Sequence, residues 1–395
     1  MDSTPRKAQI DVITKMDISV PRDGGALRAR AIADHLGASG YDVATYPVKG
    51  RTQRGSVPNI SLSLRSIGLL IRMLPQLVRY PAYSLLKWVS WGVVVDVARK
   101  RATLSASYTL IDFSQMAIYA PICRHVVAYS FHNVESELLA SYATTGSGLV
   151  KRTVARYDSW VVRRFERHIL KRGLPVFVVS EHDADVLRRI DPDSRVVVVP
   201  NGVSDECFRA EEARNRSVVF VASLDWQPNV DAAEWLVKSV WPEVAARVHD
   251  AQLFLIGRAP ARKVWNLEGE RVTVIPDVAS VIPYVSAARV ATAPLLSAGG
   301  TRLKILEALA CGTPVVATPL GALGLESAFD ERALRIRAEP QEFAQEVVDL
   351  LESDYSPELE EMCRIQSVPF KWSSSLSPMA RELDRSIAAL EGGAR

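Results

Sequence analysis

Twelve short runs of β-branched and apolar residues, separated by stretches with helical spacing, constrain the fold of this 395-residue chain more than any other feature. A strand followed by a helix-length segment and another strand builds parallel pairs, and a parallel sheet must be covered by helices on both faces. In the first half the runs are Gln9 to Thr14, Val43 to Tyr46, Tyr108 to Phe113, Val126 to Phe131, Pro175 to Val179 and Arg195 to Val199. In the second half they are Ser217 to Ser223, Gln252 to Ile256, Val272 to Ile275, Arg289 to Pro294, Pro314 to Ala317 and Leu334 to Ile336. The pattern predicts an α/β protein of two doubly wound, Rossmann-like domains with no internal repeat. Pro200-Asn201-Gly202 is turn chemistry closing the sixth run, which sets the domains at 1–200 and 201–376, with a helical tail over 377–395. In such sheets ligands bind outside the carboxyl ends of the strands.

Within that frame one stretch carries the most chemistry, Gly299-Gly300-Thr301-Arg302-Leu303-Lys304-Ile305-Leu306-Glu307, followed by the strand-like Pro314 to Ala317. It reads as strand, glycine turn, helix, strand. The glycines let backbone approach a ligand closely, and free N–H groups at the start of the helix point at the turn. Arg302 and Lys304 place two cations in the first turn, where each opposes the helix dipole by about 0.3–1 kcal/mol. An anion there reverses that penalty. Glu307 lies three residues beyond Lys304 on the same helix face, in an otherwise apolar helix. A carboxylate one turn above a phosphate-type site suits a sugar diol, so the stretch reads as a nucleotide donor site built from Gly299, Gly300, Thr301, Arg302, Lys304 and Glu307.

From Ala298 to Glu326 the sequence resembles the signature of retaining glycosyltransferases of the GT-B fold, of the kind active in bacterial polysaccharide and glycolipid assembly. Further matches fall in the same order along nearly the whole chain: Asp23-Gly24-Gly25, Phe131-His132-Asn133-Val134-Glu135, Val179-Ser180-Glu181 with Asp183, Pro200-Asn201-Gly202-Val203 and Asp225-Trp226-Gln227-Pro228-Asn229. The resemblance implies two Rossmann-like domains facing across a cleft, with the first on the acceptor side and the second on the donor side. It implies that the tail returns to brace the first domain. It also implies hexosyl transfer, with retention, from a nucleotide-diphosphate sugar to a glycan or lipid-linked glycan, with no cofactor and no metal. Arg302, Lys304 and the turn N–H groups would stabilise the departing diphosphate, and front-face attack would replace a carboxylate nucleophile. Gly24 and Gly25 would approach the donor phosphates or the acceptor hydroxyl, with Arg28 behind them. His132 would hydrogen-bond the transferred sugar. Asp277 and Val278, after a later strand, would cradle the base through main-chain contacts.

Three positions depart from that pattern. Many relatives carry a glutamate eight residues before the one matching Glu307, where this chain has Gly299, and an Arg and a Lys where it has Asp225 and Asn229. The losses shift phosphate neutralisation onto Arg302 and Lys304. The missing glutamate supports one alternative, a catalytically degenerate nucleotide-binding scaffold; a second is a nucleotide-sugar epimerase of the same architecture, for which Glu135 and Glu307 are the few candidate acid–base carboxylates.

Taken alone, Asp23-Gly24-Gly25 is a turn before a helix and lacks G-x-G-x-x-G spacing. His132 ends a strand, Glu135 begins or orients the helix after it, and Ser180 with Asp183 has the pattern of a helix cap. The cysteines, Cys123, Cys207, Cys311 and Cys363, are scattered, which fits neither a disulfide framework nor a zinc ribbon and suits a reducing cytosol. The polar first ten residues show no secretory pattern.

The net charge of +3 hides a division, with 28 Lys and Arg against 17 Asp and Glu in residues 1–200, and 20 against 28 in residues 201–395. Such asymmetry points to an anionic partner for the first half. Nucleic acid is disfavoured because no aromatic-interleaved basic motif is present. From Leu62 to Ala98, apolar residues including Trp88 and Trp91 recur among Arg65, Arg72, Arg79 and Lys87, whose spacing of seven or eight puts them near one helical stripe. That is the pattern of a basic amphipathic helix lying on a membrane, or of one packing its apolar side on a sheet. No run is long enough to span a bilayer, so the expected location is the cytoplasm, peripheral on the inner face of the membrane.

Overall fold

In a computed structural model, residues 7–19, 23–48, 64–103, 107–145, 148–297, 303–354 and 356–392 are described. The chain divides into unit 1, residues 1–200 with 376–395, and unit 2, residues 201–375.

Unit 1 holds six parallel strands: β1 (Gln9–Thr14), β2 (Asp42–Pro47), β3 (Ser107–Asp112), β4 (Val126–Ser130), β5 (Val176–Val178) and β6 (Val196–Val198), in the order β2-β1-β3-β4-β5-β6. Unit 2 holds six more: β7 (Asn215–Val221), β8 (Gln252–Gly257), β9 (Val272–Pro276), β10 (Ala288–Ala293), β11 (Val315–Ala317) and β12 (Leu334–Ile336), in the order β12-β11-β10-β7-β8-β9. All twelve expected runs form strands, and both sheets are doubly wound. Burial on both faces explains why the central runs were visible: β3 is buried at every position, as are Val218, Val219 and Phe220 in β7. Strand order reverses between β1 and β3 in unit 1 and between β7 and β10 in unit 2. A crevice opens at each reversal because successive crossovers leave on opposite faces.

The helices of unit 1 that matter below are α1 (Gly24–Ala38), α2 (Leu64–Arg79), α3 (Tyr83–Leu86), α4 (Trp91–Thr103), α5 (Glu135–Thr145), α6 (Leu149–Leu170) and α7 (Glu181–Ile190). Asp23 caps α1 by accepting from the Ala26 N–H at 2.9 Å, and Ser180 caps α7 by accepting from the Asp183 N–H at 3.1 Å. The helix Ser377–Gly392 buries Met379, Leu383 and Ile387 in unit 1. Asp384 accepts from Lys7 at 2.9 Å and from the Tyr41 hydroxyl, and Glu391 accepts from Tyr108 at 2.9 Å.

The segment 62–98 differs from the single basic stripe expected of it. Its described part is three helices, α2, α3 and α4, and Lys87 stands at the cap of α3, off the α2 stripe. Trp88 is buried and packs beneath the ammonium of Lys15, so it is a core residue and not an interfacial one. The Pro81-Ala82 break ends α2, because the residue before a proline avoids helical geometry.

Candidate functional site

At the β1/β3 reversal of unit 1, three strand ends converge. Thr14 closes β1, Asp112 closes β3, and His132 follows β4 by two residues. The Thr14 hydroxyl donates to Asp112 Oδ2 at 2.8 Å, and His132 Nε2 lies 2.7 Å from Asp112 Oδ1. All three are buried. Burial by itself would raise the Asp112 pKa, but His132, Thr14 and the nearby Arg28 charge outweigh it and hold the carboxylate below its ordinary value. Burial lowers the pKa of His132, with Asp112 opposing. The pair is therefore an ionised carboxylate and a neutral imidazole, with the ring proton on Nε2 donated to Asp112. Nδ1 is left as an acceptor, and it is buried with no hydrogen-bond partner among the described residues. An unmatched buried acceptor costs about 1–3 kcal/mol, which a donor such as a ligand hydroxyl would recover.

Phe113 fixes the ring plane. Its φ of 69° is a left-handed value rare outside glycine, and its ring stacks on His132 at 3.7 Å and 20°. Gly25 sits against it: a Cβ there would come within 3.0 Å of the Phe113 ring. Gly24 and Gly25 form the first turn of α1, so their backbone stands at this same edge. Lys15 lies over the Phe113 ring at 5.3 Å. Arg28 departs from its expected place behind the glycines as a ligand group. It is fully buried, and its guanidinium donates to the carbonyls of Val199 at 2.7 Å and Pro200 at 2.9 Å, tying α1 to the end of β6.

At the β7/β10 reversal of unit 2, Lys304 occupies the first turn of the helix Leu303–Ala310. Its ammonium lies 3.4 Å from Asn229 Oδ1 and 4.8 Å from the centre of the Phe220 ring. The Asn229 amide in turn donates to the Ser223 carbonyl at 2.9 Å. The Lys304 ammonium thus stands beside Asn229, reached from the other side of the reversal. Glu307 is half-buried one turn on, and burial pushes its pKa up to about 7 against the pull of Lys304. Ala298, Gly299, Gly300, Thr301 and Arg302 lie outside the described residues.

After β9, Asp277 has a φ of 49°, and its carboxylate accepts from the N–H of Ala259, itself at 47°. Two non-glycine residues in left-handed geometry, locked to each other, hold the turns after β8 and β9, with Val278 partly buried alongside. Arg258 reaches Asp225 Oδ2 at 3.5 Å in the adjoining turn.

Sequence reasoning singled out His132, Lys304, Glu307 and Asp277 but passed over Thr14, Lys15, Asp112 and Phe113. The signal for Asp112 was present: a lone acid at the carboxyl end of the apolar run Tyr108-Thr109-Leu110-Ile111. No group of three or more His, Cys, Asp or Glu able to hold a metal occurs among the described residues.

Residues 215–353 match the family model described as "Glycosyl transferases group 1", so the match lies within unit 2. No curated protein matches the chain. Among solved structures, a glycosyltransferase from Rickettsia africae ESF-5 is 13% identical, with 96% of this chain and 99% of that one covered and a TM-score of 0.63. WaaG, a glycosyltransferase involved in lipopolysaccharide biosynthesis, is 16% identical, with 95% and 99% covered and a TM-score of 0.63. HepE of Anabaena, solved in complex with UDP and glucose, is 14% identical, with 96% and 100% covered and a TM-score of 0.63. These likenesses show the GT-B fold. Together with the family match they support a GT-B glycosyltransferase.

Proposed function

We propose that this chain transfers a sugar, with retention of configuration, from a nucleoside-diphosphate sugar to a glycan or lipid-linked glycan. Unit 2 takes the donor and unit 1 the acceptor. The single observation that carries the reading is Lys304, a partly buried cation in the first turn of a helix, seated at the strand reversal of the family-matched unit. A cation there opposes the helix dipole, and an anion bound at the helix start stabilises both. Departure of the donor's leaving group builds negative charge on its diphosphate, and Lys304, Arg302 and the N–H groups of Gly299, Gly300 and Thr301 stabilise that charge as it forms. The two cations do this without a metal. Glu307, one turn further, takes the ribose diol, and the turn at Asp277-Val278 takes the base. UDP in the HepE complex supports a donor of this class.

His132 Nδ1 accepts from a hydroxyl of the transferred sugar, while Gly24 and Gly25 leave room for the donor or acceptor to approach the backbone. As the resemblance implies, the acceptor hydroxyl attacks from the face the diphosphate leaves, and a donor phosphate oxygen takes its proton.

The test is a panel of nucleotide sugars incubated with glycan and lipid-linked acceptors, with nucleoside diphosphate release followed and the product anomer read by NMR. The reading predicts acceptor-dependent release and a product of the donor's own anomeric configuration. Conversion of donor without acceptor would identify an epimerase, and tight binding without turnover would identify a scaffold.

A further inference from the structure

The helix α2 is apolar on two opposite sides. Leu69, Met73, Gln76 and Tyr80 follow i, i+4, i+7, i+11 and are buried against the core of unit 1. Ile67, Ile71, Leu74 and Val78 repeat the same spacing on the outside, with Ile71 58% and Val78 75% exposed. One stripe of this kind is explained by packing, and a second is not. Beyond α2 the exposed series continues through Tyr83, Leu86 and Val89.

A second helix adds to it. On α6, Leu149, Val150, Val154, Tyr157 and Trp160 are exposed, the first two by 80% and 77%. The segments that carry the two series pack together. Asp158 of α6 accepts from the backbone N–H of Tyr83 at 3.1 Å and of Ser84 at 2.9 Å, and Tyr80 packs edge-on against Phe165 at 5.2 Å. Single exposed apolar residues are ordinary on a protein surface, but two such series on packed neighbouring segments mark an interaction surface.

Charge identifies the occupant. Arg72, Arg79 and Lys87 are exposed beside the first series, and Lys151, Arg152, Arg156, Arg163, Arg164 and Arg167 beside the second. The acids in these stretches, Asp158 and Glu166, are both buried, so every exposed charge over residues 67–89 and 149–167 is positive. The Arg164 guanidinium lies over the Trp160 indole at 4.8 Å. Aliphatic side chains, amphipathic aromatics and unopposed cations together fit the headgroup region of an anionic bilayer. No helix is long and apolar enough to cross a membrane among the described residues, so the contact is peripheral.

We infer that the outer face of α2, α3 and α6 docks on an anionic membrane surface. The inference is independent of the catalytic reading, since it uses no residue assigned to donor or acceptor. Full-length protein is sedimented with vesicles of phosphatidylcholine alone and of phosphatidylcholine with a third phosphatidylglycerol, at low and high salt. Binding to the anionic vesicles is expected at low salt, with at least about tenfold weaker binding on neutral vesicles and at high salt. The pairs Ile71→Glu with Val78→Glu and Arg156→Glu with Arg163→Glu, and the single change Trp160→Ala, each weaken it. Trp265→Ala, an exposed tryptophan of unit 2, does not. No sedimentation at low salt overturns the inference. So does concentration-dependent self-association removed by the same substitutions without vesicle binding, which would assign the face to a second copy of the chain.

Discussion

His132 depends on Asp112 for its tautomer and on Phe113 for its plane. Removing the carboxylate takes away the buried acceptor of both the ring N–H and the Thr14 hydroxyl. Asp112→Ala is expected to lower stability by about 3 kcal/mol or more, read as a shift in the urea midpoint. Glu166 offers a separate test. It is fully buried beneath the start of α5, where it accepts from the Ser136 N–H at 3.2 Å and from its hydroxyl, and burial pushes its pKa from 4.5 to about 7. Below about pH 4.5 it is protonated in both folded and unfolded chains, so its stabilising contribution is complete. As pH rises the unfolded chain loses its proton first, and the contribution is gone once the folded carboxyl ionises near pH 7. Wild type should therefore lose about 3 kcal/mol more between pH 4.5 and pH 8 than Glu166→Gln, as measured by urea unfolding at both pH values. At this scale the sequence revealed residues that break a pattern, such as His132 ending a strand. It hid Arg28, because a helix-borne arginine reads the same whether it faces a ligand or the carbonyls of Val199 and Pro200.

Glycines report how closely elements approach. Gly25 brings the start of α1 against the Phe113 ring that stacks on His132. Gly25→Ala must displace that ring. It should cost about 1–3 kcal/mol of stability by overpacking, with turnover falling further than donor affinity as the imidazole loses its support. Gly257 ends β8 where a Cβ would overlap the Ala222 carbonyl oxygen, which cannot yield without breaking the β7–β8 pairing. Gly257→Ala is expected to leave unit 2 unfolded or several kcal/mol less stable, measured by calorimetry. Elements were legible where burial on both faces forced near-continuous apolar runs, as in β3, β5 and β11, while the edge strands β2 and β6, with no fully buried position, were legible from their β-branched and aromatic residues. The segment 62–98 was misread as one amphipathic helix because its apolar residues serve two opposite faces, a division that periodicity alone does not assign to inside or outside.

Across the whole molecule, unit 1 is closed by chain that arrives after unit 2 is complete. The helix Ser377–Gly392 supplies buried Met379, Leu383 and Ile387, and its Glu382 pairs with Arg195. A chain ending at residue 376 should melt unit 1 at a markedly lower temperature while the transition of unit 2 stays put, resolved by calorimetry. The doubly wound architecture followed from alternation of strand and helix, but what each carboxyl edge holds rests on side chains gathered from distant positions. Asn229 and Lys304 meet across a strand reversal, 75 residues apart. The decisive measurement is calorimetric titration of a nucleoside diphosphate into wild type, Lys304→Ala and Arg302→Ala. Each substitution is expected to weaken binding at least about tenfold, equivalent to about 1.4 kcal/mol. Affinities within about twofold of wild type in both variants would contradict the assignment of this edge to a departing diphosphate.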